Sequence, residues 1–488
     1  MPPSGYLTEA GIQSCLYYLA YTFPSICNLI VLPEQSVEMR TVRAVRIGKD
    51  RTGDRHGVLF IGGVHAREII NPDLLVSFAL KLCRAYTDGT GLNFGGASYT
   101  NGIVNLIVEN LDVFILPLVN PDGRIYVQSP TGDPWWRKNR SVNAGSTCRG
   151  VDINRNYDFL WSSGIGTSSS ACSEVFKGSG AFSEPETRNV RHLLDAYPNI
   201  NCMIDVHSYS ELVLYPWGDD NNQTTDPTMN FQNPAFNGLR GTPGDSIYKE
   251  YIPQEDLDWF IEAGERVRDA IAASRGRIYT LQQSILLYPT TGTAHDYAYS
   301  RFLVDGTKSR VYAYTLETAR EFQPVYSEAL NVMAEVSAGL VEFCLACLCV
   351  VEEVTHGTAL AEKLDTVRGF RRRRMLATPA GRRYNQLLEA NSAEILELAM
   401  KDDRLRKEGL DLLERVVRMV EAADEKPEVL DKDLINAVEQ LAKRVERKAS
   451  PALKEALEEI RSDLKHFEEK TIVEGLEAAS REAGERGS

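Results

Sequence analysis

The first 350 residues alternate short apolar runs with longer amphipathic stretches. The apolar runs predict buried strands at "TVRAVRIG", "GVLFIGG", "VFILPLVN", "CMIDVHS" and "VYAYTLE". Apolar positions three and four residues apart predict helices at 72–87, 185–196 and 257–274, with Asn71 as the N-cap of the first. Strands that alternate with helices are typical of an α/β fold, with a mixed, mostly parallel central sheet flanked by helices.

The chain beyond residue 350 follows only the helical pattern. Apolar stripes with spacings of three and four run over 410–420, 430–445 and 453–467. Pro427 and Pro451 interrupt these stripes, and Ser450 is suited to cap the helix that follows it. About two residues in five are charged here, which is typical of helices with large exposed faces. We therefore expect an all-α C-terminal helical extension.

This change of pattern divides the chain into three segments. Residues 1–350 are expected to form the α/β domain, residues 351–380 a basic linker that contains the "RRRR" run, and residues 381–488 a charged helical bundle. The apolar face of each helix in the bundle must be buried. Burial against the neighbouring helices gives a small antiparallel bundle. Burial against a protein partner or a second copy, as in a coiled coil, gives an interaction domain.

Charge and hydropathy argue against two classes of function. The 488 residues carry a formal net charge of −14, whereas a general nucleic-acid-binding protein needs a basic surface. The longest apolar run, at 332–351, contains Glu335 and Glu342, so we expect a helix packed on the sheet rather than a membrane span. We recognise no signal peptide, because no basic segment followed by an apolar one lies near the N-terminus.

Chemically active side chains follow three of the predicted strands. His65 and Glu68 come directly after "GVLFIGG", His207 ends "CMIDVH", and Glu317 ends "VYAYTLE". The loops beyond the carboxyl ends of strands form the binding crevice of an open α/β sheet. His65, Glu68 and His207 are a two-histidine, one-carboxylate set that suits Zn²⁺ with a fourth position open to water. Glu317 would then take a proton from that water.

Each of these residues taken alone has a plainer interpretation, as an ion-pair partner or a hydrogen-bonded histidine. Seven motifs in a fixed order favour the joint interpretation: "HARE", "NPDG", "WWRKNR", "GVDINRNYD", "DVHSYSELVLYPWG", "TTGTAHDYAY" and "YTLE". With these motifs, residues 5–348 resemble the zinc metallocarboxypeptidases of the carboxypeptidase A type, over about seven-tenths of the chain. The resemblance implies a zinc carboxypeptidase-like fold and catalytic domain.

The resemblance implies a catalytic role for several matching residues. It implies that one Zn²⁺ per catalytic domain is bound by His65, Glu68 and His207, and that Glu317 is the general base. Arg137 matches the arginine that polarises the scissile carbonyl and stabilises the oxyanion. Asp152 resembles the carboxylate that orients the first zinc-binding histidine.

The resemblance also implies how the end of a peptide is recognised. Asn154 and Arg155 match the pair that grips the terminal carboxylate, Arg67 matches a secondary arginine for it, and Tyr288 matches a tyrosine that closes over the substrate. His295 matches the position that sets side-chain preference. An imidazole there stacks on aromatic ends, attracts acidic ends if protonated, or merely packs against neighbouring tyrosines. We expect a preference for large apolar or aromatic C-terminal residues.

Nine cysteines leave the redox compartment open. The resemblance implies a disulfide between Cys148 and Cys172, which favours a secreted, extracellular protein. A cytoplasmic location with a reduced pair is the alternative, since we recognise no signal peptide. Three further cysteines are expected to be buried thiols because they fall in an apolar helix: Cys344, Cys347 and Cys349. The polar stretch at 218–253 is expected to be a rim loop, with a calcium site as the alternative.

Three functions compete. The first is a zinc-dependent metallocarboxypeptidase that hydrolyses the C-terminal peptide bond of peptides or proteins. The second is a related zinc amidohydrolase that acts on cell-wall peptides or acylated amino acids. Asn154, Arg155 and Tyr288 together favour a free C-terminal carboxylate and hence the first. The third is an inactive, enzyme-like scaffold with an interaction tail, which the intact ligand set and Glu317 disfavour.

Overall fold

The sheet predicted from the apolar runs is present in the computed structural model, which describes residues 4–49, 55–348, 360, 363–422 and 427–486. The strands are β1 (Cys27–Gln35), β2 (Thr41–Ile47), β3 (Gly57–Gly62), β4 (Leu92–Phe94), β5 (Ala97–Tyr99), β6 (Asp112–Leu116), β7 (Ile200–Ser208), β8 (Leu212–Tyr215), β9 (Asn222–Gln223), β10 (Glu250–Tyr251), β11 (Thr280–Gln283) and β12 (Tyr312–Thr318).

Eight of these strands form one mixed sheet in the order β1-β2-β6-β3-β7-β12-β8-β11. The central strands β6, β3, β7 and β12 are parallel neighbours, whereas β1, β2 and β6 pair antiparallel, as do β12 and β8. Every residue of β3 is buried. A strand covered on both faces needs a continuous apolar sequence, and "GVLFIG" supplies one.

Helices cover the sheet of the first unit, which extends to Cys347. They are α1 (Glu9–Thr22), α2 (Ile70–Asp88), α3 (Asn101–Asn110), α4 (Pro121–Gln128), α5 (Pro185–Ala196), α6 (Gln254–Arg275), α7 (Ala294–Val304) and α8 (Tyr326–Cys347). The mixed sheet flanked by helices confirms the predicted fold class.

The start of α2 differs from the prediction. The helix begins at Ile70, and Ile69 occupies the N-cap position without a side-chain hydrogen bond. Asn71 is therefore not the N-cap. Its side chain is buried inside the protein and accepts a hydrogen bond from Thr318 Oγ1 at 3.2 Å, so a tertiary contact replaces the capping role.

Helix α8 contains most of the longest apolar run. By length and composition it could cross a membrane, but 72% of its most apolar 18-residue window is buried within the protein. It packs against α6 and α2. Its Glu335 is buried, forms an ion pair with Arg275 and accepts a hydrogen bond from Tyr279 Oη at 3.1 Å. This packing accounts for the apolar run as a core helix.

The cysteines of α8 depart in part from the prediction. Cys347 forms a disulfide with Cys202 of β7, so it is not a buried thiol. The strand and the end of the helix bring the two residues together, although 145 positions separate them in sequence. Cys344 is a buried free thiol as predicted, and Cys349 lies outside the described residues.

The second unit, from Leu348 onward, contains helices that pack on one another. Their bounds are Leu364–Phe370, Arg371–Met375 (a π-helical turn), Pro379–Lys401, Asp403–Ala422, Lys432–Glu446, Pro451–Asp463 and Ile472–Arg486. Ser450 caps the helix that follows it and accepts a hydrogen bond from Leu453 N at 3.2 Å, as predicted. A core cluster joins the first long helix to the last through Ala380, Tyr384, Leu476 and Ala479.

The described part of the predicted basic linker, 351–380, contains helical segments. Residues 364–375, which include the "RRRR" run, are helical, and Phe370 is buried. Arg373 and Arg374 are exposed in contrast to the buried Phe370, so a run of like charges can form part of a helix. Residues 351–359, 361 and 362 lie outside the described residues. The docking of a partner or a second copy on this unit stays a prediction.

Candidate functional site

The candidate site lies where three neighbouring strands, β3, β7 and β12, end side by side. The chain leaves β3 through Gly62 and Gly63, and the φ of Gly63 is +63°. A Cβ atom on Gly63 would lie 2.9 Å from Leu118 Cδ1, so the left-handed conformation and the close packing both require glycine. This turn directs His65 and Glu68 towards the end of β7.

A buried asparagine fixes the turn. Asn120 is fully buried, and its Nδ2 donates to Val64 O and Lys138 O, both at 3.1 Å. The Ala66 N–H also donates to Arg137 O at 3.0 Å. These bonds join the segment that contains His65 to the segment that contains Arg137. The "NPDG" motif was recognised from sequence, but its bridging role was not.

The three predicted ligands converge. His65 Nδ1 lies 2.7 Å from Glu68 Oε1, and His207 Nδ1 lies 3.1 Å from Glu68 Oε2. The two Nδ1 atoms are themselves 3.1 Å apart. All three residues are buried. Within the described residues this is the one group of three or more His, Cys, Asp or Glu side chains whose ligand atoms all lie within 4.8 Å of one another.

This donor set fits zinc. Ligand atoms about 2.0–2.1 Å from a tetrahedral Zn²⁺ are about 3.3 Å apart, and the spacing of 3.1 Å between the two imidazole nitrogens is close to that value. Burial alone would raise the pKa of Glu68, but His65 and His207 outweigh it and hold that pKa below its ordinary value. Glu68 is therefore ionised and has the charge a cation needs. The polar stretch at 218–253 contributes to no comparable group among the described residues.

Asp152 stands behind the first histidine. It is fully buried, and its Oδ1 lies 3.0 Å from His65 Nε2 and accepts from Asn154 N at 3.0 Å. Its Oδ2 accepts from Arg137 Nε at 3.1 Å and Nη2 at 3.0 Å. Burial opposes ionisation, but Arg137 and His65 hold the pKa of Asp152 well below its usual range. An arginine has five N–H donors, so this pairing leaves donors of Arg137 for a further oxygen.

Glu317 lies beside the ligand set. In the sheet register Glu317 of β12 pairs with His207 of β7, and it keeps part of its surface exposed. Desolvation is the largest effect on its carboxyl and raises its pKa to about 8; the neighbouring Glu68 adds to this, while His207 and Arg137 oppose it. A carboxyl group with a raised pKa beside a metal-binding set is typical of an acid–base residue.

Asn154 and Arg155 form a short 3₁₀ turn, Ile153–Arg155, next to the ligand set. Asn154 Nδ2 lies 3.4 Å from His207 Nε2, and Asn154 Oδ1 accepts from Ala294 N at 2.8 Å. Arg155 is almost fully buried and donates to Asn154 O at 2.6 Å and Gly166 O at 3.2 Å. Its guanidinium carbon lies 5.9 Å from the centre of the Tyr288 ring. Tyr288 itself is exposed.

Arg67 and His295 lie at two different depths. Arg67 is partly exposed, stacks on Phe322 at 4.4 Å and lies 3.8 Å from the Glu174 carboxylate. His295 is buried, and its Nδ1 lies 2.9 Å from Thr315 Oγ1. Burial lowers the pKa of His295 to about 3. The ring is therefore uncharged at neutral pH, and its Nε2 lies 3.3 Å from Asp296 Oδ1.

The loop behind the site is closed by a disulfide between Cys148 and Cys172, as the resemblance implied. The closed loop includes Asp152, Asn154 and Arg155. The bond therefore constrains the segment in which three of the site residues lie.

Sequence comparison agrees with this geometry. A sequence model of the zinc carboxypeptidase family matches residues 12–335. Carboxypeptidase B of Helicoverpa zea is 36% identical over 226 residues, which are 45% of this chain and 48% of that protein. Carboxypeptidase A4 of Mus musculus is 29% identical over 300 residues, which are 61% and 59% of the two chains. The chain thus spans about half to three-fifths of the length of these relatives.

Solved structures share the fold. The crystal structure of carboxypeptidase A from Helicoverpa armigera matches with a TM-score of 0.55 and 24% identity, over 70% of this chain and 73% of that one. Bovine thrombin-activatable fibrinolysis inhibitor matches with a TM-score of 0.54 and 22% identity, over 70% and 98%. At this level of identity the likeness supports the fold alone.

Proposed function

The chain belongs to the zinc carboxypeptidase family, and from that premise we propose that it is a zinc-dependent exopeptidase that hydrolyses the C-terminal peptide bond of peptides or proteins. The observation that supports this most strongly is the convergence of His65, Glu68 and His207, with Glu317 beside them in the register. Peptides and proteins with a free C-terminal carboxylate are the proposed substrates.

Zinc, held by those three residues, would polarise the scissile carbonyl and bring the pKa of a bound water towards about 7. Glu317 would accept a proton from the attacking water and pass it to the leaving amine. Its place beside His207, at the partly exposed end of β12, puts the carboxylate where a water can reach it. Positioned acid–base catalysis of this kind contributes about 10²–10⁴-fold in rate.

Arg137 would face the negative charge that develops on the carbonyl oxygen. Its bonds to Asp152 fix the guanidinium before substrate arrives, and a donor that is already in place costs no reorganisation during the reaction. Removal of one such donor typically costs about 10²–10³-fold in kcat.

Arg155 and Asn154 would distinguish a chain end from a chain middle. A terminal carboxylate differs from a peptide bond by its charge and by its two equivalent oxygens, which a guanidinium binds in parallel. Tyr288 is exposed above Arg155 and would cover the bound end. Arg67 lies nearer the surface and would hold the carboxylate during entry. An amidohydrolase for blocked substrates has no need of this pair of donors.

The preference for the terminal side chain is proposed to be large apolar or aromatic. The support is the electrical neutrality of His295, which burial keeps unprotonated because its pKa is lowered to about 3. A neutral imidazole offers no charge to an acidic side chain, which favours apolar or aromatic ones.

A panel of short peptides that differ only in the last residue tests the proposal. We expect cleavage of free peptides, little cleavage of the same peptides with an amidated C-terminus, and loss of activity with phenanthroline that zinc restores. Equal cleavage of amidated peptides would favour the amidohydrolase. No cleavage of any peptide by protein with one zinc per chain would contradict the proposal.

We also infer an oxidising compartment for this protein. Two disulfides, Cys148–Cys172 and Cys202–Cys347, support it, because reducing compartments keep such pairs as thiols. Alkylation of the unreduced protein isolated from its source should leave these four cysteines unlabelled. Labelling of all four would contradict the inference.

A further inference from the structure

The second zinc-binding histidine has a buried carboxylate beside it that the sequence analysis did not assign. Asp205 and His207 are two positions apart on β7, so their side chains lie on the same face of the sheet. Asp205 Oδ2 lies 2.8 Å from His207 Nε2, on the opposite side of the imidazole from Nδ1. Nδ1 is the atom that lies 3.1 Å from Glu68 Oε2.

This arrangement repeats the one at the first histidine. His65 Nε2 lies 3.0 Å from Asp152 Oδ1, while its Nδ1 faces Glu68. Each imidazole therefore has Glu68 on its Nδ1 side and a fully buried carboxylate on its Nε2 side. The two carboxylates come from distant parts of the chain, Asp152 from a loop and Asp205 from a strand.

Asp205 has few other ways to compensate its charge. A buried carboxylate is costly unless a cation or several donors face it. Among the described residues neither oxygen of Asp205 receives a well-aligned hydrogen bond, and His207 is the ion-pair contact that Asp205 makes. Thr315, opposite Asp205 in the register, is engaged with His295 instead.

The charges of the site support a role for Asp205 when the metal is bound. A divalent ion with Arg137 and Arg155 would bring four positive charges to the site. Three buried carboxylates face these charges: Glu68, Asp152 and Asp205. Without Asp205 the excess of positive charge at the loaded site would increase, which a buried environment penalises. Contact of Asp205 with a basic substrate side chain is a different role, but it requires access, and Asp205 is 0% exposed.

On the premise of the proposed zinc function, we propose that Asp205 is a positioning residue that orients His207 so that Nδ1 faces the metal. Asp152 has the same task at His65. A carboxylate that accepts the N–H of a zinc-binding histidine fixes the tautomer of the ring, and its loss typically costs about 10–100-fold in metal affinity or activity.

The rate of zinc release from the full chain to a chelating dye tests this proposal. The variants are Asp205→Asn, Asp152→Asn as the comparator, and Asp112→Asn as a control, since Asp112 is a buried carboxylate paired with Arg46 instead. We expect zinc release about 10–100-fold faster in the first two and unchanged in the control. The ratio of kcat/KM between peptides ending in Phe and in Lys should stay the same in Asp205→Asn.

Zinc release within twofold of wild type in Asp205→Asn would overturn the proposal, as would a changed Phe/Lys ratio with normal zinc release. Wild-type protein that holds no zinc would contradict the proposed zinc-dependent function itself, an outcome distinct from failure of the proposal for Asp205. The ¹⁵N shifts of His207 in zinc-loaded wild-type protein give a test that needs no variant. We expect a protonated Nε2 and a metal-bound Nδ1, and the reverse assignment would overturn the proposal.

Discussion

The stability of the first unit should depend on pH through one buried glutamate. Glu186 is the second residue of α5 and is fully buried. Its Oε2 accepts from Asn139 Nδ2 at 3.1 Å, while Oε1 has no hydrogen-bond partner among the described residues. Burial, with the nearby Glu184, raises the pKa of Glu186 from 4.5 to about 8. Asn139 belongs to the segment that contains Arg137, so this contact supports the site.

The magnitude follows from linkage. One pKa unit is worth about 1.4 kcal/mol, so the rise from 4.5 to about 8 corresponds to about 5 kcal/mol. Because the folded-state pKa is the higher one, the free energy of unfolding is undiminished by Glu186 below pH 4.5. This stability is lost progressively as Glu186 ionises and the pH rises to about 8. Glu186→Gln removes this titration while it keeps the shape of the side chain.

Unfolding in urea at several pH values between 5 and 9, followed by tryptophan fluorescence, measures the effect. All five tryptophans lie in the first unit, so the signal reports that unit. Relative to wild type, the free energy of unfolding of Glu186→Gln should be little changed at pH 5 and about 3–5 kcal/mol higher at pH 8. Glu265→Gln, an exposed substitution on α6, is the matched control, and its difference from wild type in free energy of unfolding should not grow with pH. A difference between Glu186→Gln and wild type that stays constant from pH 5 to 9 would refute the reasoning.

Three other outcomes follow from the structure. Arg155→Ala should lower kcat/KM for free peptides by about 10–100-fold, since a charge-assisted bond is worth about 1.5–3 kcal/mol. Its zinc content should stay at one per chain, and unchanged kinetics would contradict the role of Arg155 in binding the terminal carboxylate. Replacing Cys148 and Cys172 by Ser opens a loop of 24 residues and should lower the free energy of unfolding by about 3–4 kcal/mol; an unchanged urea midpoint would contradict this. Deletion of residues 355–488 should leave the first unit folded, as near-ultraviolet circular dichroism would report, and aggregation would show that the second unit completes its core.

The sequence predicted the framework of the first unit because its signals are local. Continuous apolar runs mark strands that are buried on both faces, and β3 and β7 are of this kind. Tertiary contacts overrode local signals elsewhere. Asn71 has the chemistry of a helix cap, but a hydrogen bond from Thr318, 247 positions away, occupies its side chain. The disulfide between Cys202 and Cys347 was missed because spacing alone does not give connectivity.

The candidate site was predictable where ionisable side chains lie at the end of a predicted strand. His65, Glu68, His207 and Glu317 each interrupt or follow an apolar run, and the structure brings them together. Asp205 was missed because it lies inside such a run, in "CMIDVH". The signal was nevertheless present, since a charged residue two positions before a ligand in a buried strand must lie on the ligand's face of the sheet.

The most direct test of the account is the zinc content and the turnover of Glu317→Gln, measured on the same preparation. The matched control is Glu321→Gln, an exposed substitution shortly after the same strand. We expect Glu317→Gln to keep one zinc per chain and to lose about 10²–10⁴-fold in kcat, while the control resembles wild type. Normal turnover in Glu317→Gln with zinc bound would contradict the central claim.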